Sequence, residues 1–396
     1  MREAVPRARA LRRQGALAVL RHVHAHPEVT RAELTRALGL SSGSATEITA
    51  RLKALRLVDE VSAPPTGGRG RPSPALTAHP EGPLVCAVDV GHERWRVVTV
   101  ELGGALLDES TGRHRDRDSG AVLAVLRRRI AEARERHGHR LRAVAVAVAG
   151  TVQGTRIVQA STLRWRDVTL DGLCPDPSIP LLAGNDASLA GLAEARRGAG
   201  AGVKALLHLT VEVGIGGVLV MDGRMMTGAT DAGGEFGHLP FGDPRRRCPC
   251  GAHGCWDLEV DGRAMARALG RPAPHDPRAD ADVILAEAAS GDPASRAAVG
   301  TAATALGRGV AGLVNALDPA LVTLSGLGCG LIETAPEELG SAYLGGLMSF
   351  RHDDPPPLLA STLRGDGTII GGAEVGFDAI LTDEGLESWS AAVAGA

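Results

Sequence analysis

Apolar residues recur at helical spacing in three successive stretches at the start of the chain. Over residues 11–25, Ala16, Val19, Leu20 and Val23 fall on one face of a helix. Thr30 and Glu33 follow as a capping box, hydroxyl and carboxylate each satisfying an N–H at the start of a helix whose buried stripe is Leu34, Ala37 and Leu38. Gly39 ends that helix. Ser41 or Ser42 caps a third one, with Ala45, Ile48, Leu52 and Leu55 turned toward the first two. Two helices across a short glycine turn, after an opening helix, predict a helix-turn-helix within residues 1–80, and residues 57–61 add a strand for a wing.

From Leu84 the period changes. A continuous apolar run over residues 84–91, a second over 95–100, the pair Gly103-Gly104 and another short run predict strands joined by hairpins. An Arg-rich helix over 121–137 and a buried strand over 143–149 follow, and a further strand ends at Asn185-Asp186 before a helix over 187–197. Residues 205–211 and 215–221 then look like the opening strands of a second copy, with a long helix over 295–317 and a strand over 321–324. The repeated β-rich then βα plan predicts an α/β body of two ribonuclease H-like, actin-like ATPase subdomains, residues 81–186 and 187–396, behind the winged head.

Charge divides the chain at the same place. Residues 1–80 hold 13 Lys and Arg against 6 Asp and Glu, and the remainder 30 against 40, so a basic head precedes an acidic body. That asymmetry points to nucleic acid as the head's partner, although a solvated basic face has the same composition. The third helix is then the recognition helix, presenting Ser42, Ser44, Thr46, Glu47, Thr49 and Arg51 to the major groove. In the stretch Pro64-Pro65-Thr66-Gly67-Gly68-Arg69-Gly70-Arg71-Pro72, Arg69 and Arg71 are slim enough to enter a narrow A·T-rich minor groove. A small helical bundle and a Pro/Gly linker would share these patterns, but a linker has no need of the Arg pair.

Six cysteines are present, and three of them fall within one eight-residue span. His238, Cys248, Cys250 and Cys255 match a closed tetrahedral Zn²⁺ site, and Gly251 and Gly254 let the backbone turn tightly enough for the ligands to converge. Four protein ligands make the metal structural. Cys86, Cys174 and Cys329 are scattered and read as small core residues. No apolar run approaches the length of a membrane span, and the first residues carry Arg where a signal peptide has an apolar core, so a cytoplasmic protein with metal-bound thiols is expected.

The same loop resembles a known family. Gly234-Glu235-Phe236-Gly237-His238, followed by Cys248-x-Cys250-Gly251-x-x-Gly254-Cys255-x-Asp257, is similar to the paired G-E-x-G-H and C-x-C-G-x-x-G-C-x-E signatures of the ROK family (repressors, open reading frames, kinases), with Asp257 where the family usually has Glu. The resemblance covers residues 10–385, and Arg-rich winged heads are familiar from its regulator branch. It implies that Glu235, His238 and Asp257 bind sugar hydroxyls, with His238 also holding zinc. In the family's sugar kinases the Asp of an N-D pair deprotonates the attacking hydroxyl, which would be Asp186 after Asn185, and an Asn binds sugar where this chain has Thr162.

The phosphate loops of such a kinase are altered at each place. Where the family reads D-x-G-G-T this chain has Asp89-Val90-Gly91-His92-Glu93, and where it reads G-T-G-I-G-G-G this chain has Glu212-Val213-Gly214-Ile215-Gly216-Gly217-Val218. The third glycine-rich stretch is Ser325-Gly326-Leu327-Gly328. A carboxylate a few ångströms from a phosphate repels it by roughly a few kcal/mol, enough to lower affinity about a hundredfold. The expectation is therefore a sugar-responsive, DNA-binding transcriptional regulator, a repressor acting as a homodimer or homotetramer on a double-stranded operator, with no catalytic residue. An ATP-dependent sugar kinase with a DNA-binding head is the alternative.

Overall fold

The computed structural model describes residues 4–62, 74–114 and 118–395. The head opens with α1 (Ala4–Ala25) and the short strand β1 (Val29–Thr30). The capping box then forms as its residue types dictate: the Thr30 hydroxyl accepts from the Glu33 N–H at 3.2 Å, and the Glu33 carboxylate accepts from the Thr30 N–H at 2.9 Å. The helix so started, α2 (Arg31–Leu38), stops at Gly39, whose φ of 61° suits a residue without Cβ. Ser41 caps α3 (Ser42–Ala54) by accepting from the Ser44 N–H at 3.1 Å. Strands β2 (Val58–Val61) and β3 (Ala75–Ala78) pair antiparallel, and β1 adds to β3, which completes a winged helix-turn-helix. The wing tip with Arg69 and Arg71 lies outside the described residues.

The expected recognition surface needs one correction. Ser42, Ser44, Thr46, Glu47 and Arg51 are exposed on α3, but Thr49 is only 2% exposed. Thr49 stands one helical turn after Ala45 and three residues before Leu52, both fully buried, so it belongs to the inward stripe.

The body repeats one sheet plan. Strands β4 (Leu84–Val90), β5 (Arg94–Glu101) and β6 (Leu106–Arg113) run antiparallel; after α4 (Ser119–His137), β7 (Leu141–Val148) returns parallel to β4. A small antiparallel sheet, β8 (Thr151–Gln153), β9 (Arg156–Ala160) and β10 (Trp165–Thr169), leads to β11 (Leu181–Asn185), parallel to β7, and then to α5 (Asp186–Arg197). The second copy has β12 (Ala205–Glu212), β13 (Gly214–Met221) and β14 (Arg224–Met225), then α6 (Gly262–Ala268), α7 (Pro277–Ala289) and α8 (Pro293–Leu317). It continues through β15 (Leu321–Gly326), α9 (Leu327–Thr334), α10 (Pro336–Gly346) and β16 (Leu358–Ala360). The strand order β11-β7-β4-β5-β6 of the first sheet corresponds position by position to β16-β15-β12-β13-β14 of the second, the duplicated ribonuclease H-like arrangement. Central β4 is buried along Leu84–Val88 because both its faces are covered, whereas edge strand β6 is exposed at alternate positions.

Two helices end the chain. Although α11 (Gly367–Ile380) follows the second sheet in sequence, it packs on β4 and β7 of the first; a Cβ at Gly376 would meet Val85, and one at Gly371 would stand 1.9 Å from the Leu189 carbonyl oxygen on α5. The boundary drawn at residue 187 thus assigns α11 to a subdomain whose sheet it does not cover. The last helix, α12 (Asp383–Gly395), reaches the head, where the Trp389 indole donates to the Leu55 carbonyl at 2.7 Å. Head, first sheet and α11 share one apolar cluster that includes Leu20, Leu52, Leu76, Val85, Val100 and Phe377. Among the described residues only α8 is long and apolar enough to cross a membrane, and 67% of its apolar window is buried inside the protein, where it forms the core of the second subdomain.

Candidate functional site

The loop after β14 brings His238, Cys248, Cys250 and Cys255 together, with one donor atom from each within 4.8 Å of the others. Gly251 (φ 106°) and Gly254 (φ 70°) occupy the left-handed region there, so the turn needs both. The Cys250 and Cys255 sulfurs are 3.7 Å apart, and the Cys248 sulfur lies 3.9 Å from His238 Nδ1. A tetrahedron with metal–sulfur bonds of about 2.3 Å has an edge of about 3.8 Å, which these two separations match, so the donor set suits a zinc-sized cation. Burial and the neighbouring sulfurs push the Cys255 thiol up to about 12, as expected of thiols that need a cation to ionise. The loop is anchored by Trp256, fully buried, whose indole donates to the Ala305 carbonyl at 2.9 Å; its ring fits against α8 because residue 309 is Gly.

His238 faces two ways. Its Nδ1 meets the sulfurs and, at 3.4 Å, Asp257 Oδ2, while Nε2 is 3.7 Å from Glu235 Oε2 at the cleft between the subdomains. A cation on Nδ1 would leave Nε2 as the nitrogen available to a ligand. Glu235 accepts from the Thr151 hydroxyl across the cleft at 2.8 Å, and nearby Gln153 donates to the Thr230 carbonyl at 2.8 Å. Asn185 Nδ2 donates to the Gly150 carbonyl at 3.1 Å while its Oδ1 caps α5 through the Ser188 N–H at 2.9 Å. Asn185, Asp186, Glu235 and His238 thus lie close to one another where the two subdomains face each other.

Asp257 and Thr162 are placed differently. Asp257 is 8% exposed, and its Oδ1 accepts from the Ile215 N–H at 2.6 Å, so it braces the cleft floor more than it presents a carboxylate to it. The Thr162 hydroxyl is buried and lacks a hydrogen-bond partner among the described residues. Thr151 belongs to the cleft, and sequence reasoning missed it, since a lone Thr on a three-residue strand carries no motif.

The glycine-rich stretches that the resemblance assigns to phosphate are contacted by the chain's own side chains. Glu212 pairs with Arg278 of α7 at 2.5 Å, and its carboxylate lies against Gly326, where a Cβ would approach Oε1 to 2.5 Å. One acid therefore bridges the second and third glycine-rich stretches. Arg113 reaches across the cleft to Asp276 at 3.3 Å and also lies 3.7 Å from Glu93.

Two neighbouring half-buried carboxyls carry raised proton affinity. Burial, then the charge of Asp186, pushes Asp89 up to about 7; burial also raises Asp186 to about 6, opposed by the Ala187 N–H. Between about pH 4 and pH 7 the folded protein holds protons that the unfolded chain has released, so stability falls as pH rises through that window. Replacing Asp89 with Asn is expected to raise unfolding stability by about 1–3 kcal/mol at about pH 8 and to change nothing near pH 4. Urea denaturation at both pH values checks this; an equal change at both would remove the Asp89 charge as its cause.

Fold and cleft together define a class: a winged helix-turn-helix head on a duplicated actin-like ATPase body that carries a Cys/His cluster. The ROK family model matches residues 85–375, and a MarR family model matches residues 11–70. The chain belongs to the ROK family. It is 28% identical over 266 residues to a glucokinase of Halalkalibacterium halodurans, an alignment covering 60% of this chain and 78% of that one. It is 22% identical over 257 residues to the xylose repressor of Bacillus subtilis, covering 63% and 66%. A solved ROK family transcriptional regulator, a homolog of the E. coli MLC protein, aligns over 96% of this chain and 99% of its own with a TM-score of 0.75 at 23% identity. That likeness includes head and body alike and shows the fold.

Proposed function

We propose that the protein is a sugar-responsive transcriptional repressor that binds double-stranded DNA as a homodimer and does not phosphorylate sugar. The observation that carries this reading is the Glu212–Arg278 pair lodged in the phosphate loops while Asn185, Asp186, Glu235 and His238 keep a polar cleft beside them. A nucleotide phosphate would have to displace a paired carboxylate that already fills its seat. The effector is a sugar or sugar derivative that meets Glu235 and His238, with the partnerless Thr162 hydroxyl offering a further bond. Zinc at His238, Cys248, Cys250 and Cys255 is structural, because all four positions are protein atoms. Similarity to a xylose repressor supports the sugar class, and the winged head supports DNA.

On DNA, Ser42, Ser44, Thr46, Glu47 and Arg51 face the major groove, and Arg69 and Arg71 enter the minor groove. The experiment is selection of random duplexes on the purified protein, followed by affinity measurements over a range of salt. Replacing Arg69 and Arg71 with Ala is expected to weaken binding and to flatten the slope of log affinity against log salt by about 1–2, with base preference kept. Replacing Ser44 or Thr46 should change base preference and leave the slope alone. A protein that enriches no duplex is not a repressor. The second reading, a sugar kinase, is favoured by Asp186, raised to about 6 at the cleft end of α5, and by the glucokinase relative. Hexose turnover near about 1 s⁻¹ or above in a coupled ATP assay would establish it.

A further inference from the structure

Three parts of the molecule meet at the C-terminal end of α5. His24, 6% exposed at the end of α1 in the head, accepts from the Gly103 N–H on Nδ1 at 2.9 Å, and its Nε2 lies 3.3 Å from Glu374 of α11 and 3.0 Å from Arg197 Nη2. Arg197, on the last turn of α5, donates from Nε to the same Glu374 carboxylate, from Nη1 to the Gly103 carbonyl at 2.8 Å, and from Nη2 to the His24 carbonyl at 2.8 Å. Arg196 donates to the other Glu374 oxygen at 3.1 Å and to Asp378 at 2.7 Å. Glu374 itself is 3% exposed. A buried carboxylate shared among head, α5 and α11 tolerates no partial separation, since withdrawal of any partner leaves charge unpaired out of water.

The other end of α5 is the sugar cleft. Asn185 caps the helix while bonded to Gly150, and Asp186 is its first residue. Between the ends, every residue from Ala187 to Ala195 is buried. Gly191 brings the helix against His208 and Val218 of the second sheet, and Gly371 of α11 lies directly on the Leu189 backbone. A helix of this length spans about 18 Å. It is packed on both sides without a compliant layer, so a shift at Asp186 moves Arg197 with it.

We infer that α5 carries the state of the cleft to the DNA-binding head and that Arg197, held with His24 on Glu374, is the positioning residue at which the head receives it. This rests on the sugar-responsive, DNA-binding reading for its purpose but not for its test. Coupling of this kind is reciprocal and has two discrete arrangements to choose between, with the Glu374 cluster either engaged or released.

A double-mutant cycle on the full chain tests it. Asp186→Ala disturbs the cleft end; Arg197→Met with Glu374→Met removes the charged link and leaves no unpaired acid between them. The readouts are hydrogen exchange of the amides over residues 16–25 in the head and affinity for a duplex selected from random DNA. Asp186→Ala is expected to shift both by about fivefold or more, the lower range of allosteric coupling, and by less than about twofold in the Arg197→Met, Glu374→Met background. If that background does not fold, Arg197→Lys keeps the charge and loses the forked contacts to Gly103 and His24, and the same loss of coupling is expected. Equal shifts in both backgrounds, or none in either, overturn the relay. Wild-type protein that binds no duplex overturns the repressor reading alone, because exchange at residues 16–25 still decides whether cleft and head communicate.

Discussion

Replacing Cys250 and Cys255 together with Ser is expected to strip the protein of its metal and to unfold the loop over residues 233–257. Protein purified without added metal should contain one zinc per chain by elemental analysis, and the double variant close to none. The effect is large because, away from the Trp256 anchor, the loop has little regular structure. It contains two short 3-10 turns, at Phe236–His238 and Trp256–Glu259, and an isolated bridge between Arg247 and His253. Structural zinc in small peptides is worth about 10–16 kcal/mol, most of it free energy of folding. Glu235, His238 and Asp257 all ride on this loop, so sugar binding should disappear with the metal. A zinc ratio near zero in the wild type, or full retention in the double variant, would sink the assignment.

Trp256→Ala is expected to lower stability by about 3–5 kcal/mol, as for other fully buried large aromatics. The indole has no exposed surface, sits where Gly309 leaves room for it on α8, and holds the Ala305 carbonyl; truncation leaves a cavity and an unpaired carbonyl together. Trp256 also follows Cys255 directly, so the Cys/His cluster and the second subdomain's core share this anchor. Guanidinium unfolding of the zinc-loaded protein followed by far-UV circular dichroism measures it. A loss below about 1 kcal/mol would mean that the loop is fastened to the body elsewhere.

What the sequence made legible was local. Thr30 with Glu33, Gly39 after Leu38, and the Cys248-x-Cys250 spacing each encode a geometry within a few residues, and each appears as read. The repeated strand plan was legible too, because buried β4 and β12 are predominantly apolar. Thr49 was misplaced because a hydroxyl on an inward stripe reads as an exposed polar residue until Ala45 and Leu52 fix the face. Arg278 stands 66 residues from Glu212, and Thr151 stands 84 from Glu235, so neither pairing leaves a spacing to detect. The return of α11 to the first sheet was hidden for the same reason: a buried helix carries no mark of which sheet buries it.

The contact between Trp389 and Leu55 joins residues 334 apart in the chain. During synthesis the head emerges first and its helices can form, but the surface on which it rests is completed only when α11 and α12 leave the ribosome. Until then Val85, Ala87 and Ala145 of the first sheet lack their cover, and the head is tethered without being oriented. A nascent or prematurely terminated chain therefore displays a folded DNA-binding module that has no fixed bearing on the cleft. Its affinity for DNA would be set by the module alone, blind to sugar, and α11 and α12 would be what places the head under the body's control.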